Sequence, residues 1–217
     1  MKVLIACEYS GTVRDEFLKL GHDAFSCDIL PCESNYKKEE YRHFKCDVTD
    51  MLREDQDWDL IIGHPPCTHL AVSGARWFTE GRKPWSLQEE ALEFVQLLMD
   101  APAKRICIEN PVSVISTKIR KPEQIIQPYH FGHTTMKTTC LWLKNLPPLK
   151  HTEVVEPEMI TMKNGKRMNK FHYDTFKLPK KERSHVRSKT FLGIAKAMAS
   201  QWGSLDDGIV EKGELEL

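Results

Sequence analysis

The chain has 217 residues, of which 41% are hydrophobic and 29% charged, and its formal net charge is +0. That length suits one domain with at most a small appendage, and the composition is ordinary for a soluble globular protein. No apolar run approaches membrane-spanning length and MKVLIACEYS opens a strand rather than a signal peptide, so the chain reads as cytoplasmic with no membrane partner.

VLIAC (3–7) predicts a first strand and Gly11 a turn, followed by a helix from Thr12 to Leu20 with Val13 and Phe17 on one face. Gly21 closes that helix, and AFSCD (24–28) is the second strand. FKCD (44–47) and DLIIG (59–63) follow as a short third and a fourth strand. Ser86 with Glu89 has the spacing of a capping box that opens a helix running to about Met99. RICIEN (105–110) is the next strand. Strand and helix alternating at short intervals predict an α/β fold with a doubly wound, mostly parallel sheet.

After Pro111 the rhythm breaks. TTCLWLK (138–144) still reads as a strand, but 145–187 is rich in Pro, Lys, His and Met without clear periodicity. Pro147-Pro148 and the polar turn KNGKR (163–167) predict a loop or β-ribbon excursion there. SKTFLGIAKAMASQWG (188–203) is the last helix: Phe191, Ile194, Ala195, Met198 and Trp202 share one face, and Ser188 is placed to cap it. The acidic stretch 204–217 is expected to fray.

The zero net charge hides an asymmetry. Residues 1–111 hold 13 Lys and Arg against 20 Asp and Glu, residues 112–203 hold 17 against 6, and the last fourteen hold 1 against 5. A basic block in a neutral protein has two readings: a face for a polyanion such as nucleic acid, or a solvated lysine-rich surface. The seven cysteines contain no CxxC pair and sit mostly among Val, Ile, Leu and Phe, as reduced thiols in strands do. Neither a disulfide framework nor a structural zinc site is expected.

Two stretches carry the chemistry: IIGHPPCTH from Ile61 and ICIENP from Ile106. Each ends a β-branched run, so each polar tip belongs at the carboxyl end of a buried parallel strand, where open α/β sheets place their sites. Cys67 offers a thiol whose backbone two prolines hold rigid. Glu109 offers a carboxyl group at a strand end, where partial desolvation raises the pKa and favours proton donation. His64 and His69 flank Cys67, but a metal needs a third or fourth ligand with matching spacing, so no metal site is expected. A thiol and an acid on neighbouring strands point to covalent catalysis on a substrate protonated as it is attacked.

CEYSG (7–11) joins the first strand to the first helix and exposes backbone N–H groups, yet it lacks GxGxxG and a phosphate-binding lysine. Asp28 ends the second strand, placed to accept from ribose hydroxyls, and Asp47 ends the third, placed to accept from an adenine amino group. An adenosine-containing cofactor without a pyrophosphate fits this set; singly, each residue reads equally as a turn or cap.

The order CEYSG, Asp28, Asp47, PPC (65–67), ENP (109–111) and the terminal SKTFLGIAKAMA helix resembles the DNA cytosine-5 methyltransferase family, in particular its short phage and prophage versions. The resemblance covers residues 1–111 and 188–203. It implies a sheet of the S-adenosylmethionine-dependent methyltransferase type and a bacterial or phage-infected host cell. It implies that Cys67 adds to carbon-6 of cytosine while Glu109 engages ring nitrogen-3, and that Asn110 orients either the Glu109 carboxyl or the Pro-Pro-Cys loop. S-adenosylmethionine would lie against Glu8, Tyr9, Ser10, Gly11, Asp28, Ile29, Asp47, Val48 and Pro65. DNA would be the partner of a monomer or homodimer, met by Lys137, Lys163, Lys166, Arg167, Lys170 and Arg187.

The chain departs from that family's pattern. Its first motif lacks the usual phenylalanine and several glycines, and Thr135, Lys137 and Thr139 stand where a glutamine–arginine–arginine strand is expected. Arg187-Ser188 replaces an asparagine–serine pair. The organisation expected is a cofactor and catalytic core (1–111), a reduced DNA-contact region (112–187), a helix returning to the core (188–203) and an acidic tail (204–217). The alternatives are an RNA cytosine methyltransferase and a catalytically silent nucleic-acid-binding relative with an anti-restriction or regulatory role.

Overall fold

Seven strands form one sheet in the order β3-β2-β1-β4-β5-β7-β6, in which β7 alone runs against its neighbours. The strands are β1 (Lys2–Ala6), β2 (Asp23–Asp28), β3 (His43–Lys45), β4 (Trp58–Gly63), β5 (Ala103–Pro111), β6 (Gln124–Ile126) and β7 (Thr139–Lys144). The structure is a computed structural model describing residues 1–36, 40–53 and 56–205; the predicted acidic tail lies outside them from residue 206 on. Among the described residues no helix is long and apolar enough to cross a membrane.

Alternation along the strands builds two apolar layers, because successive side chains of a strand face opposite sides of a sheet. Val3, Ile5, Leu60, Ile62 and Leu141 share one cluster with Val13 and Phe17 of α1 (Thr12–Lys19) and with Ile194, Ala195, Met198 and Trp202 of α7 (Leu192–Trp202). Leu4, Ala6, Ile61, Ile106 and Ile108 share the other with Val95, Leu98 and Met99 of α3 (Ser86–Met99). Central strands that are apolar on both faces need this double cover. Each fully buried Leu, Ile or Phe contributes about 1.5–3 kcal/mol. The buried tryptophans keep their N–H groups satisfied: Trp58 donates to Met51 O at 2.8 Å, Trp142 to Arg120 O at 2.7 Å and Trp202 to Pro147 O at 3.0 Å. The fold is α/β, with a doubly wound, mostly parallel sheet.

Several sequence expectations are corrected. The capping box at Ser86 and Glu89 does not form: Trp85 occupies the cap position in helical conformation with no side-chain bond, and Gln88 N instead bonds Trp85 O at 2.9 Å. Ser188 does not cap the last helix but ends the one before it, and α7 starts after an extended Phe191. The stretch 145–187 contains the expected β-ribbon, β8 (Met159–Thr161) with β9 (Arg167–Asn169), and also two unforeseen helices, α5 (Lys170–Phe176) and α6 (Lys180–Ser188). No residue of α6 is buried, so it offered no apolar period to read. Two one-turn helices complete the set, α2 (Arg76–Thr79) and α4 (Ile115–Lys118). Within 112–187, β6 and β7 are members of the main sheet.

The connection from β1 turns to one side through β2 and β3, and the chain then returns to place β4 on the other side of β1. In open α/β sheets this switch point opens a crevice at the carboxyl ends of the strands.

Candidate active site

Strand register assembles the centre of the site. Gly63, the last residue of β4, pairs with Ile108 of β5, and β5 continues beside β7 through Glu109 and Asn110, opposite Leu141 and Cys140. Glu109 therefore stands one residue past the end of β4, where the chain departs through His64-Pro65-Pro66-Cys67. His64 N donates to Ala6 O at 2.9 Å, which anchors the departing chain to β1. Across the notch His64 Nδ1 meets Glu109 Oε2 at 2.9 Å. Asn110, buried, donates Nδ2 to Pro65 O at 2.8 Å, so of its two expected roles the structure displays the bond to the Pro-Pro-Cys loop. Cys67 is exposed and starts a short 3-10 turn.

The electrostatics differ from the strand-end expectation for Glu109. Burial alone pushes its carboxyl up, but the hydrogen bond from His64, the His64 charge and the Lys137 charge outweigh it and hold the group below the ordinary range. Surrounding protein pushes the Cys67 thiol up, the Glu109 charge adds to this, and Lys137 opposes it. The Glu109 charge thus reaches the Cys67 thiol, and the Lys137 charge reaches both. Lys137 is fixed by donating Nζ to Arg187 O at 2.7 Å.

The loop after β1 is built around a buried carboxylate. Glu8 Oε1 accepts from Val13 N at 2.7 Å and from Ser10 Oγ at 3.2 Å, and Oε2 accepts from Arg14 N at 3.2 Å, so Glu8 satisfies the first N–H groups of α1. Burial pushes its carboxyl up against the opposing pull of His64 and these donors. Gly11 has φ of 75°, and a Cβ there would lie 2.7 Å from Ser34 Cβ and 2.8 Å from Arg14 Nη2. Tyr9 reaches across to α6, its hydroxyl 2.7 Å from Ser188 Oγ and 3.2 Å from His185 Nδ1. Cys7 closes β1, where burial, with Asp28 and Asp47 adding, pushes its thiol up to about 12.

At the next two strand ends the candidates stay open. Asp28 Oδ1 accepts from Leu30 N at 2.9 Å, and the Ile29 side chain beside it is 70% exposed. Asp47 is exposed and held below the ordinary range by the N–H and hydroxyl of Thr49, each 2.9 Å from its Oδ1. Val48 and Pro65 are buried.

The basic candidates separate into four groups. Lys163, Lys166 and Arg167 are exposed on the β8–β9 hairpin. Lys170 pairs with Glu158 at 3.0 Å. Arg187 is turned inward, donating to Thr175 Oγ1 at 2.9 Å and His172 O at 3.3 Å, and so ties α6 to α5. Lys137 donates to Arg187 O, and its charge reaches Glu109 and Cys67.

Sequence reasoning missed His64, weighed only as a metal ligand. Its signal was its position, directly after the glycine that ends β4 and directly before Pro-Pro-Cys. Among the described residues no group of three or more His, Cys, Asp or Glu could hold a metal ion. A cavity of about 340 Å³ lies elsewhere, lined by Phe131, His133, Glu153, Gly193 and Lys196 among others, and none of the predicted site residues lines it.

No family model and no curated protein matches the chain. Among solved structures it is similar to that of a candidate DNA modification methyltransferase encoded within a prophage (E. coli), at 13% identity and a TM-score of 0.39, over 85% of this chain and 68% of that one.

Proposed function

We propose that this protein transfers a methyl group to carbon-5 of cytosine in DNA, with Cys67 as nucleophile and Glu109 as the acid at ring nitrogen-3. One arrangement carries the reading: the loop to Cys67 leaves β4 beside Glu109 of β5 and is held there by Asn110, the Glu109 charge acts on the Cys67 thiol, and the Lys137 charge acts on both. A nucleic-acid-binding module has no need of such a pair.

The side chains at the carboxyl ends of β2 and β3 fit S-adenosylmethionine. Asp28 offers a carboxylate to ribose hydroxyls, the outward Ile29 an apolar surface to adenine, and Asp47 an acceptor to the adenine amino group. Glu8, already engaged with α1, acts by shaping the loop of Tyr9, Ser10 and Gly11, while Val48 and Pro65 back the cradle. When bound, this cofactor supplies a methyl group made electrophilic by its sulfonium.

Cys67 forms the sulfur–carbon-6 bond as a thiolate, which the Lys137 charge favours. The electron pair moves along the ring to nitrogen-3, which takes a proton from Glu109, and carbon-5 becomes nucleophilic. After methyl transfer, carbon-5 gives its proton to a solvent water, Cys67 leaves with its bonding pair, and nitrogen-3 returns its proton to Glu109. Asn110 holds the Pro-Pro-Cys loop through Pro65 O while sulfur and carboxyl converge. In a duplex the base must first leave the stack, at a cost of a few kcal/mol. Residues 1–111 then form the cofactor and catalytic core, 112–187 meet the phosphates, and 188–203 close the core.

The test is trapping. A random-sequence duplex carrying 5-fluorocytosine, incubated with S-adenosylmethionine, should form a covalent adduct on Cys67, visible by mass spectrometry, that Cys67→Ser abolishes. An adduct with RNA instead would move the substrate class; nucleic-acid binding with neither adduct nor transfer would establish the binding-module alternative.

A further inference from the structure

The proposed reaction uses Glu109 and leaves His64 without a part, although few side chains here are as constrained. The His64 side chain is only 10% exposed. Its Nδ1 lies 2.9 Å from Glu109 Oε2, and its Nε2 is buried without a hydrogen-bond partner. Its backbone is tied to β1 through Ala6 O. Glu8, from the loop after β1, lies within reach of its charge on one side and Glu109, from β5, on the other. Beyond Glu109 stand Lys137 and Cys67, and the Cys107 and Cys140 thiols also feel the Glu109 charge.

Whether Oε1 carries its proton or has given it up, Oε2 presents only an acceptor, so the proton shared between the two groups belongs to His64 Nδ1. Among the described residues Glu109 Oε1 has no hydrogen-bond partner, while Oε2 is held by His64. One carboxyl oxygen is braced and the other is free for substrate.

We propose that His64 is the positioning residue of Glu109: it pins Oε2 through Nδ1–H, leaves Oε1 for ring nitrogen-3, and stabilises the carboxylate formed when that proton is given up. As the Cys67 sulfur bonds carbon-6, the proton leaves Glu109 Oε1 for nitrogen-3, and the negative charge appears on a carboxylate already hydrogen-bonded at Oε2. The proton returns to Oε1 when sulfur leaves. The Nδ1–H proton stays on His64 throughout. A preorganised donor of this kind acts where charge develops. The reaction in this inference rests on the cytosine reading above; the brace itself rests on geometry alone.

Two measurements test it. In steady-state methyl transfer, His64→Phe should lower kcat by about 10²-fold with the KM for DNA and for cofactor changed by no more than about twofold. The limb of the pH profile assigned to Glu109 should move to higher pH. His64→Asn, whose side-chain N–H takes the place of Nδ1–H, should recover kcat to within about tenfold of the parent. Independently of activity, ¹⁵N spectra of the imidazole should show the Nδ1–H tautomer in the parent and the Nε2–H tautomer in Glu109→Ala. Unchanged kcat and pH profile in His64→Phe, or the same tautomer in parent and Glu109→Ala, would overturn the brace. A parent that transfers no methyl group yet shows the tautomer change would overturn the cytosine reading and leave the brace standing.

Discussion

The imidazole of His64 and the carboxyl group of Glu109 meet at 2.9 Å because β4 ends at Gly63 while β5 runs on past Ile108, the partner of Gly63. Gly63 pairs with Ile108, so His64, leaving the sheet, and Glu109, still paired with Leu141 of β7, follow that pair at one level and their side chains meet. The chemical consequence reverses the simplest expectation for a carboxyl group at a strand end. Burial pushes Glu109 up, yet His64 and Lys137 hold it down. The readiness of Glu109 to give up its proton in the proposed reaction therefore depends on the balance of charges around it.

Lys137 sets that balance, and its removal should move two groups in the same direction. A nearby positive charge favours the anion, so Lys137→Met raises the pKa of both Glu109 and Cys67. A thiolate nucleophile makes rate climb with pH towards the thiol pKa, and the climbing limb should move to higher pH. Near neutral pH, trapping by 5-fluorocytosine DNA should slow about tenfold for each pKa unit of that movement. Lys137→Arg retains the charge and should leave the limb in place. A limb that does not move in Lys137→Met would remove Lys137 from the site's electrostatics.

Much of this arrangement was legible in the sequence where apolar patterning carried it. VLIAC, AFSCD, DLIIG and RICIEN mark four central strands, and PPC and ENP mark the carboxyl ends of two that pair side by side. What escaped was held by polar contacts between distant segments. Helix α6 buries no residue, and it is placed by Tyr9 bonding Ser188 and by Glu33 pairing with His185 at 3.1 Å and Lys189 at 2.6 Å. No local period announces bonds of that kind. Ser86 and Ser188 illustrate the converse: good caps by type, they stand inside helices whose starts are fixed by neighbouring turns. His64 needed the register of β4 against β5 before its partner could be named.

Asn110 should matter through the loop it holds. Asn110→Ala removes the 2.8 Å bond from Nδ2 to Pro65 O and leaves that carbonyl buried without its donor, at a cost of about 1–3 kcal/mol. The prolines keep most of the loop's shape, so the protein should still fold, with a lower denaturant midpoint and an unchanged slope. Adduct formation by Cys67 should slow more than cofactor binding weakens. An Asn110→Ala protein with the parent's trapping rate would place Asn110 in stability alone.

Gly193 predicts a purely structural effect at a distance from the chemistry. A Cβ at this position would lie 1.8 Å from Phe131 O, a backbone atom that no rotamer change can move aside. Gly193→Ala must therefore push the start of α7 away from Phe131 and loosen Ile194, Met198 and Trp202 against the sheet. A loss of about 3 kcal/mol is expected, read by urea unfolding. A loss below about 0.5 kcal/mol, the range of an unremarkable surface substitution, would mean that α7 can slide without repacking.

The basic candidates make different predictions because they are bonded differently. Lys166 and Arg167 project from the β8–β9 hairpin, so if they meet phosphates, reversing both charges should weaken DNA binding at every sequence and flatten its salt dependence by about one counterion per lost contact. Arg187 already spends its guanidinium on Thr175 and His172 within the protein. Arg187→Met should therefore lower stability by about 1–2 kcal/mol through the unsatisfied acceptors and leave the salt slope as it was. Asp28→Ala should weaken S-adenosylmethionine in calorimetry with little effect on DNA, since Asp28 lies at the end of β2 and among the described residues accepts a hydrogen bond from its own turn. The three variants separate cofactor cradle, nucleic-acid face and internal tie by three different readouts. If Arg187→Met flattened the salt slope while the Lys166 and Arg167 reversals did not, the DNA face would have to be moved from the hairpin to the α5–α6 edge.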